Sequence, residues 1–343
     1  MKRKVIYIIL GAVLAGGIFF AWKSIRDEFF PIPMDPLPGW EPYVNNLDAE
    51  YQTLFVDAGG TQLEAALFIP EGGSAQKPAV VFSPGSGDSL FSNYALGFIE
   101  TYVLEVFLPR DFAVLLVNKR GMGESEGSYV KNSIEGRADD LIASVQTLQA
   151  DSRIDPTRVG VIGHSQGGWV VVHAAAEYPE IAFFISLAGP TTTIYEQTVS
   201  RNENYARCIG LTGDEYEDYV NKQIKNVDLG MKIGEITNFG LLGFDYRTMF
   251  YSPSDALHKI SNPGLYVYGT NDLLVLPAVN YERLDEIFDG EVPPNLKTVE
   301  IEGANHSFRL VKDICDFEGG PEDYEQAFQL VEELNAWLAE LGY

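Results

Sequence analysis

The pentapeptide Gly163-His-Ser-Gln-Gly167 constrains this chain more than any other stretch. It follows an apolar run at residues 159–162 and precedes a second apolar run, a pattern typical of a buried strand that turns sharply into a helix. A serine in such a turn is held in strained backbone geometry, with its hydroxyl clear of the sheet and a helix N-terminus behind it. Small flanking residues are needed because side chains there would clash with the neighbouring strand and helix. The stretch therefore predicts an exposed serine, Ser165, at the end of a buried strand.

Strand and helix patterns alternate on both sides of this turn. The chain opens with a predicted β-hairpin at residues 51–70. Further strands are predicted at residues 79–82, 112–117, 159–162, 181–187, 264–268 and 297–301. Helices are predicted at residues 94–108, 135–150, 167–177, 256–260, 278–288 and 321–341. Such alternation requires a mainly parallel sheet with helices on both faces.

The alternation stops between residues 191 and 255. This region carries helical segments rich in Tyr, Glu and Asn, such as residues 215–226, and no obvious buried strand. An excursion of this length inside a compact domain usually has its own structure and a role. We expect a helical cap; an ordinary surface excursion is the alternative.

Four motifs resemble those of the α/β-hydrolases, and within that fold the serine-hydrolase branch of esterases, dienelactone-hydrolase-like enzymes and serine-aminopeptidase-like enzymes. They stand in that family's order at residues 118–125, 163–168, 268–272 and 303–306. The resemblance covers roughly residues 50–343 and is weaker between about 191 and 255.

The resemblance implies the α/β-hydrolase fold, with a mainly parallel central sheet, helices on both faces and an inserted helical cap. Residues 50–190 and 256–343 would form the core. In this fold an insertion at residues 191–255 forms a cap over the active site.

A serine hydroxyl needs a neighbouring base, and the base needs a third group that fixes its tautomer. The chain has four histidines, His164, His173, His258 and His306. The side chain of His164, next to Ser165, should point away from the hydroxyl. His306 follows a predicted strand at the sheet edge where α/β sites form, and the order Ser…Asp…His predicts it as the base.

Asp272 is the predicted acid of this triad. It follows the strand at residues 264–268, at the same sheet edge, and the loop at residues 188–195 contains no Asp or Glu that could replace it. Otherwise Asp272 would be a turn-forming residue.

Two backbone N–H groups should stabilise the oxyanion of an acyl-transfer intermediate. Gln166 follows the nucleophile and would supply one of them. The resembled family often carries His-Gly-x-Gly after its earlier strand, whereas this chain has Pro84-Gly-Ser-Gly87. Because the donor is a backbone amide, Ser86 can still supply the second N–H, with an uncertainty of one residue in the register.

No cofactor or metal is implied. The glycine turn at residues 118–125 lacks the third glycine of a dinucleotide fingerprint, and the chain contains no G-K-[ST]. Asp139 and Asp140 are consecutive on a helix and face different directions, which favours a solvated face over a metal site. Cys208 and Cys315 lack zinc-site spacing, and their pairing as a disulfide is left open.

The net charge of −25 makes nucleic acid an unlikely partner. At the N-terminus, basic residues precede an uncharged run of 18 residues, 5–22. This pattern predicts a signal anchor within residues 1–29 that tethers the catalytic domain to a membrane on its extracytoplasmic side. Secretion after signal cleavage is the alternative. A proline-rich tether is expected at residues 30–49, either extended or packed along the domain surface.

These patterns predict a serine hydrolase that cleaves small-molecule carboxylic esters through an acyl-enzyme intermediate. An aminopeptidase or acyl transferase with the same triad is one alternative. A membrane-tethered binding protein without catalysis is another. The oligomeric state stays open.

Overall fold

The structure, a computed structural model, describes residues 43–343 except 88, 95–96, 238–250 and 318. A single sheet of eight strands runs through this part in the order β1-β2-β4-β3-β5-β6-β7-β8. The strands are β1 Ala49–Ala58, β2 Thr61–Pro70, β3 Lys77–Ser83, β4 Ala113–Val117, β5 Ile154–His164, β6 Phe184–Leu187, β7 Gly264–Gly269 and β8 Leu296–Ile301.

Strands β3 to β8 run parallel to one another. Within this sheet the antiparallel pairs are β1 with β2 and β2 with β4. The predicted, mainly parallel sheet is confirmed. All carboxyl ends of the parallel strands meet at one edge, so the loops that follow β3, β5, β7 and β8 are brought together there.

Helices cover both faces of the sheet. The main helices of the described residues are α1 Ile134–Gln149, α2 Gln166–Glu177, α3 Ile194–Cys208, α4 Gly213–Thr237, α5 Ser254–Lys259, α6 Pro277–Ile287 and α7 Gln329–Glu340. Helices α1, α2, α5 and α6 contribute to the apolar core on one face. The core on the other face is formed by α7 and residues 98–107. Alternating side chains of β5 serve both cores: Val161 faces the first and Ile162 the second.

Two predicted helices are shorter than expected. The helix predicted at residues 94–108 is broken, since Gly97 has a φ of 78° and the following turns are π-helical at Glu100–Leu104 and 3-10-helical at Leu108–Arg110. The last helix begins at Gln329 because the preceding residues pair with the segment after β8. In that pairing Leu310 N donates to Glu325 O and Ala327 N to Phe308 O, both at 2.9 Å.

Helices α3 and α4 form the described part of the predicted cap. Thr193 begins α3 with a capping box, in which its side chain and that of Glu196 bond each other's backbone N–H. Ala206 is the only fully buried residue of α3. A disulfide joins Cys208, the last residue of α3, to Cys315 in the segment after β8, with 5.2 Å between the Cα atoms. The pairing left open by the sequence is thereby a disulfide in the structure.

The predicted signal anchor at residues 1–29 and most of the predicted tether, residues 30–42, lie outside the described residues. At the end of the tether range, Val44 is buried with 3% of its surface exposed, and Tyr43 and Leu47 pack against the same core. Among the helices of the described residues, none is both long and apolar enough to cross a bilayer.

Candidate active site

Ser165 lies in the turn between β5 and α2. Its backbone has φ 55° and ψ −121°, a combination that costs a non-glycine residue about 1–3 kcal/mol. The surroundings hold this conformation: Ser165 N donates to Leu187 O at 2.8 Å, and Gly168 N donates to Ser165 O at 2.8 Å. A Cβ atom at Gly167 would lie 2.1 Å from Ser83 O, so only glycine fits this close approach. The structure therefore fixes the serine between two neighbouring strands.

His306 and Asp272 are joined across the loops that follow β8 and β7. The distance from His306 Nδ1 to Asp272 Oδ2 is 2.8 Å, and the side chain of Asp272 is fully buried. The other oxygen of Asp272, Oδ1, accepts from Leu274 N at 2.7 Å and Val275 N at 2.9 Å. Because an ionised carboxylate only accepts hydrogen bonds, Nδ1 of His306 carries the proton and Nε2 is the basic nitrogen.

Ser165 and His306 line one cavity of about 430 Å³. No direct hydrogen bond joins their side chains among the described residues, an arrangement common in sites without substrate. The cavity lies between the carboxyl edge of the sheet and α3. Its lining residues are Gly85, Ser86, Ser89, Tyr94, His164, Ser165, Gln166, Trp169, Ile194, Gln197, Thr198, Arg201, Leu274 and His306.

The two candidate oxyanion residues, Ser86 and Gln166, also line this cavity. The N–H of Gly85, one residue earlier, is already used, since it donates to the hydroxyl of Tyr94 at 2.8 Å. The N–H of Ser86 has no acceptor among the described residues. As the first residue of α2, Gln166 has no intrahelical acceptor for its own N–H. Both amides are thus available to a ligand.

Two buried cationic side chains hold the loop after β3. Arg137, on α1, donates to Gln166 Oε1 and to Pro84 O, and Lys119 Nζ donates to Gly85 O at 3.0 Å. Burial lowers the pKa of Arg137 to about 10, so its guanidinium stays charged at neutral pH. These contacts position both oxyanion candidates relative to one another. The sequence gives no sign of them, because the residues are far apart along the chain.

A chain of hydrogen bonds connects three loops of the site. The hydroxyl of Tyr94, which accepts from Gly85 N, lies 2.6 Å from His164 Nδ1 and donates to it. His164 Nε2 donates to the carbonyl of His306 at 2.8 Å. Burial, reinforced by the neighbouring His306, lowers the pKa of His164 to about 3, so the ring is neutral. His164 therefore holds the loop that carries His306 in place through a hydrogen bond. Its position beside Ser165 in the sequence did not suggest this role.

Asp140 corrects one expectation. Asp139 is exposed, but Asp140 is buried and forms an ion pair with Arg120 at 2.6 Å. Asn132 Nδ2 also donates to Asp140 at 2.7 Å. The helix turns the two neighbours in different directions, and the solvated-face interpretation holds only for Asp139. No group of three or more His, Cys, Asp or Glu side chains that could hold a metal ion occurs within residues 43–343 as far as they are described.

Comparisons with known proteins agree with this architecture. The family model for serine aminopeptidase, S33, matches residues 77–211, less than half of the chain. In the solved structure of the Pyrococcus furiosus esterase Pf2001, the alignment covers 91% of this chain and 98% of that one, with a TM-score of 0.56 and 19% identity. The chain has the α/β-hydrolase fold. The fold is the one that the sequence predicted.

Other similarities cover less of this chain, of the other protein, or of both. A Mycobacterium tuberculosis puromycin-hydrolyzing peptidase is similar over 85% of this chain and 38% of its own, with a TM-score of 0.53 and 21% identity. The thiohydrolase aneE of Aspergillus aculeatus is 28% identical over 134 residues, 39% of either chain. This chain spans 61% or less of the length of the other curated relatives that it matches first.

Proposed function

We propose that this α/β-hydrolase cleaves carboxylic esters through an acyl-enzyme on Ser165. The observation that carries the proposal is the 2.8 Å bond between His306 Nδ1 and Asp272, on the same cavity as the strained Ser165. A nucleophile, an oriented base and a buried acid are the three groups that serine hydrolysis requires.

In the acylation step His306 Nε2 removes the proton from Ser165 Oγ as the oxygen attacks the ester carbonyl. The carbonyl oxygen becomes an oxyanion, which accepts from the N–H groups of Ser86 and Gln166. The imidazolium, stabilised by Asp272, then gives its proton to the alcohol that leaves. In deacylation His306 Nε2 removes a proton from a water molecule, whose oxygen attacks the acyl carbonyl. The bond between the acyl carbon and Ser165 Oγ then breaks, the imidazolium returns its proton to Oγ, and the carboxylic acid leaves.

Preorganisation of the oxyanion donors supports this mechanism. Donors that are fixed before the reaction cost no reorganisation in the transition state, and one such donor is typically worth about 10²–10³ in kcat. Arg137 and Lys119 fix the loop that carries Ser86, and Arg137 also fixes the side chain of Gln166. The cavity of about 430 Å³ lies in the range of small-molecule sites.

Aminopeptidase activity is the second candidate, because the family model that matches residues 77–211 is described as a serine aminopeptidase. Recognition of a free α-amine needs a carboxylate near the scissile bond. None of the described lining residues of the cavity is acidic, and the acidic residues Glu215, Glu217 and Asp218 on α4 are exposed and do not line it. This favours the ester over the aminoacyl amide.

The location that we propose is extracytoplasmic, with the chain tethered by its N-terminal segment or secreted after cleavage. The disulfide between Cys208 and Cys315 supports this proposal, because disulfides persist in oxidising compartments and are rare in reducing ones. The uncharged run at residues 5–22 supplies the segment for export.

The test uses the full-length chain and p-nitrophenyl esters of increasing acyl length, beside aminoacyl p-nitroanilides. We expect ester hydrolysis that falls at least about 10⁴-fold in Ser165→Ala and similarly in His306→Ala. A fluorophosphonate should label the parent chain and leave Ser165→Ala unlabelled. Turnover of anilides but not esters would move the assignment to a peptidase. Absence of both turnover and labelling would favour the binding protein without catalysis.

A further inference from the structure

Helix α3 presents one face to the cavity. The four lining residues that it contributes are Ile194, Gln197, Thr198 and Arg201, spaced at i, i+3, i+4 and i+7. This is the spacing of a single helical stripe. The stripe begins with the apolar side chain of Ile194 and ends with the guanidinium of Arg201. The face therefore offers a bound molecule one cationic contact.

Arg201 has no partner in the described part of the chain. Its side chain is exposed, and no hydrogen bond or ion pair of the described residues involves it. The residues three and four positions away, Gln197, Thr198, Asn204 and Tyr205, carry no charge, so no intrahelical ion pair can form. Glu196, one turn and a half earlier, is paired with Arg283 instead.

The cavity has an unusual charge for this protein. The chain has 49 Asp and Glu against 24 Lys and Arg, yet none of the described lining residues is acidic. Two further cations, Lys119 and Arg137, bond to backbone carbonyls of the loop that carries Ser86. In a molecule with a net charge of −25, a bound anion would be repelled from most of the surface and attracted here.

We propose that Arg201 selects substrates that carry a carboxylate in addition to the ester. The guanidinium presents a planar fork of N–H donors that matches a carboxylate in a bidentate pair, which an uncharged Gln cannot reproduce. This inference rests on the proposed esterase function and names its substrate class: hemiesters of dicarboxylic acids, or esters whose alcohol bears an acid group. It also accounts for a cation that has no partner among the described residues of a strongly acidic protein.

The experiment compares matched charged and neutral esters on the full-length chain. Mono-p-nitrophenyl glutarate places a carboxylate on the acyl side, and p-nitrophenyl valerate is its neutral counterpart of similar length. On the alcohol side, 4-acetoxybenzoic acid is compared with its methyl ester. We expect kcat/KM to favour the charged member of at least one pair, and the preference to shrink as ionic strength rises.

Arg201→Gln should reduce that preference about 10- to 100-fold, since it removes a charged hydrogen-bond pair. Hydrolysis of the neutral ester should stay within about threefold, which a collapsed cap would not allow. Arg201→Lys keeps the charge and should retain part of the preference. Arg207→Gln is the matched control on the same helix: Arg207 stacks on the ring of Tyr216, does not line the cavity and should leave the ratio unchanged.

Two outcomes contradict the inference in different ways. If Ser165-dependent ester hydrolysis is present but the charged-to-neutral ratio is the same in Arg201→Gln and the parent chain, the selection by Arg201 is wrong and the esterase proposal stands. If no ester is hydrolysed in a Ser165-dependent manner, both the selection and the esterase proposal are overturned.

Discussion

The carboxyl edge of the sheet and helix α3 face each other across one cavity, and they are built differently. At the sheet edge the reacting groups are locked: Asp272 is fully buried, and a Cβ atom at Gly167 would collide with the backbone of β3. Along α3 only Ala206 is buried, and its other side chains are partly or fully exposed. A disulfide, Cys208–Cys315, attaches the end of this helix to the segment after His306.

The difference assigns a separate task to each region. Chemistry requires positions fixed within fractions of an ångström, which buried backbone contacts provide. Substrate selection requires side chains that line the cavity but do not pack in the apolar core. A partly exposed helix provides such side chains. We therefore expect changes at the sheet edge to lower kcat for every ester, and changes on α3 to alter KM and the choice of substrate.

The largest effect should come from Asp272→Asn. The amide would place an N–H donor against His306 Nδ1 and favour the wrong tautomer, so kcat should fall about 10³- to 10⁴-fold while KM changes little. Steady-state kinetics with charged and neutral p-nitrophenyl esters measure both constants. Asp139→Asn, on the exposed side of α1, is the control and should behave as the parent chain. A loss below tenfold would remove Asp272 from the proposed triad.

The next largest effect should come from removal of the disulfide, which links α3 covalently to the segment after β8. Replacing both cysteines by Ser should lower the free energy of unfolding by about 2–4 kcal/mol, because the bond closes a loop with a sequence separation of 107 residues. We expect a fall of several degrees in Tm and faster proteolysis within α3 and α4. The same fall should follow dithiothreitol treatment of the parent chain, and the double variant should not respond to the reductant. An unchanged Tm and unchanged proteolysis would show that α3 is held by its packing alone.

The effect that should be smallest near neutral pH concerns His164, which belongs to the sheet edge. Its pKa is about 3 in the folded chain, below the ordinary value of 6.5, because the ring is buried. The unfolded chain therefore takes up this proton first, and stability should be lost as the pH falls from about 6.5 towards 3, with a slope approaching about 1.4 kcal/mol per pH unit. Urea unfolding at several pH values should show a shallower dependence for His164→Gln. An equal slope in both chains would mean that His164 titrates normally.

Much of the fold and of the candidate site could be predicted from local patterns. A strand, a glycine-flanked serine and a helix are contiguous in sequence, so the turn at Ser165 is encoded by neighbours. Asp272 and His306 follow their strands directly, and parallel strands bring their carboxyl ends to one edge whatever the rest of the chain does. The mainly parallel sheet follows from the alternation of strand and helix patterns.

The features that could not be predicted depend on residues far apart in the chain. The helix predicted from residue 321 begins at Gln329 because residues 325–327 pair with the segment after β8. Asp140 is buried because Arg120, from a different loop, reaches it. In both cases the partner lies far away along the chain, so the sequence next to residue 325 or to Asp140 does not reveal the contact.

The parallel sheet, the turn that exposes Ser165 and the loops that bear Asp272 and His306 are encoded locally, by short-range periodicity and by the steric demands of neighbouring residues. Three features follow from the tertiary structure instead: His164 bonds to Tyr94 and the His306 carbonyl, Cys208 pairs with Cys315, and Arg201 lines the cavity with no partner among the described residues. These contacts join segments separated by tens to hundreds of residues. Their geometry is set by the packing of the whole domain, which no local pattern contains.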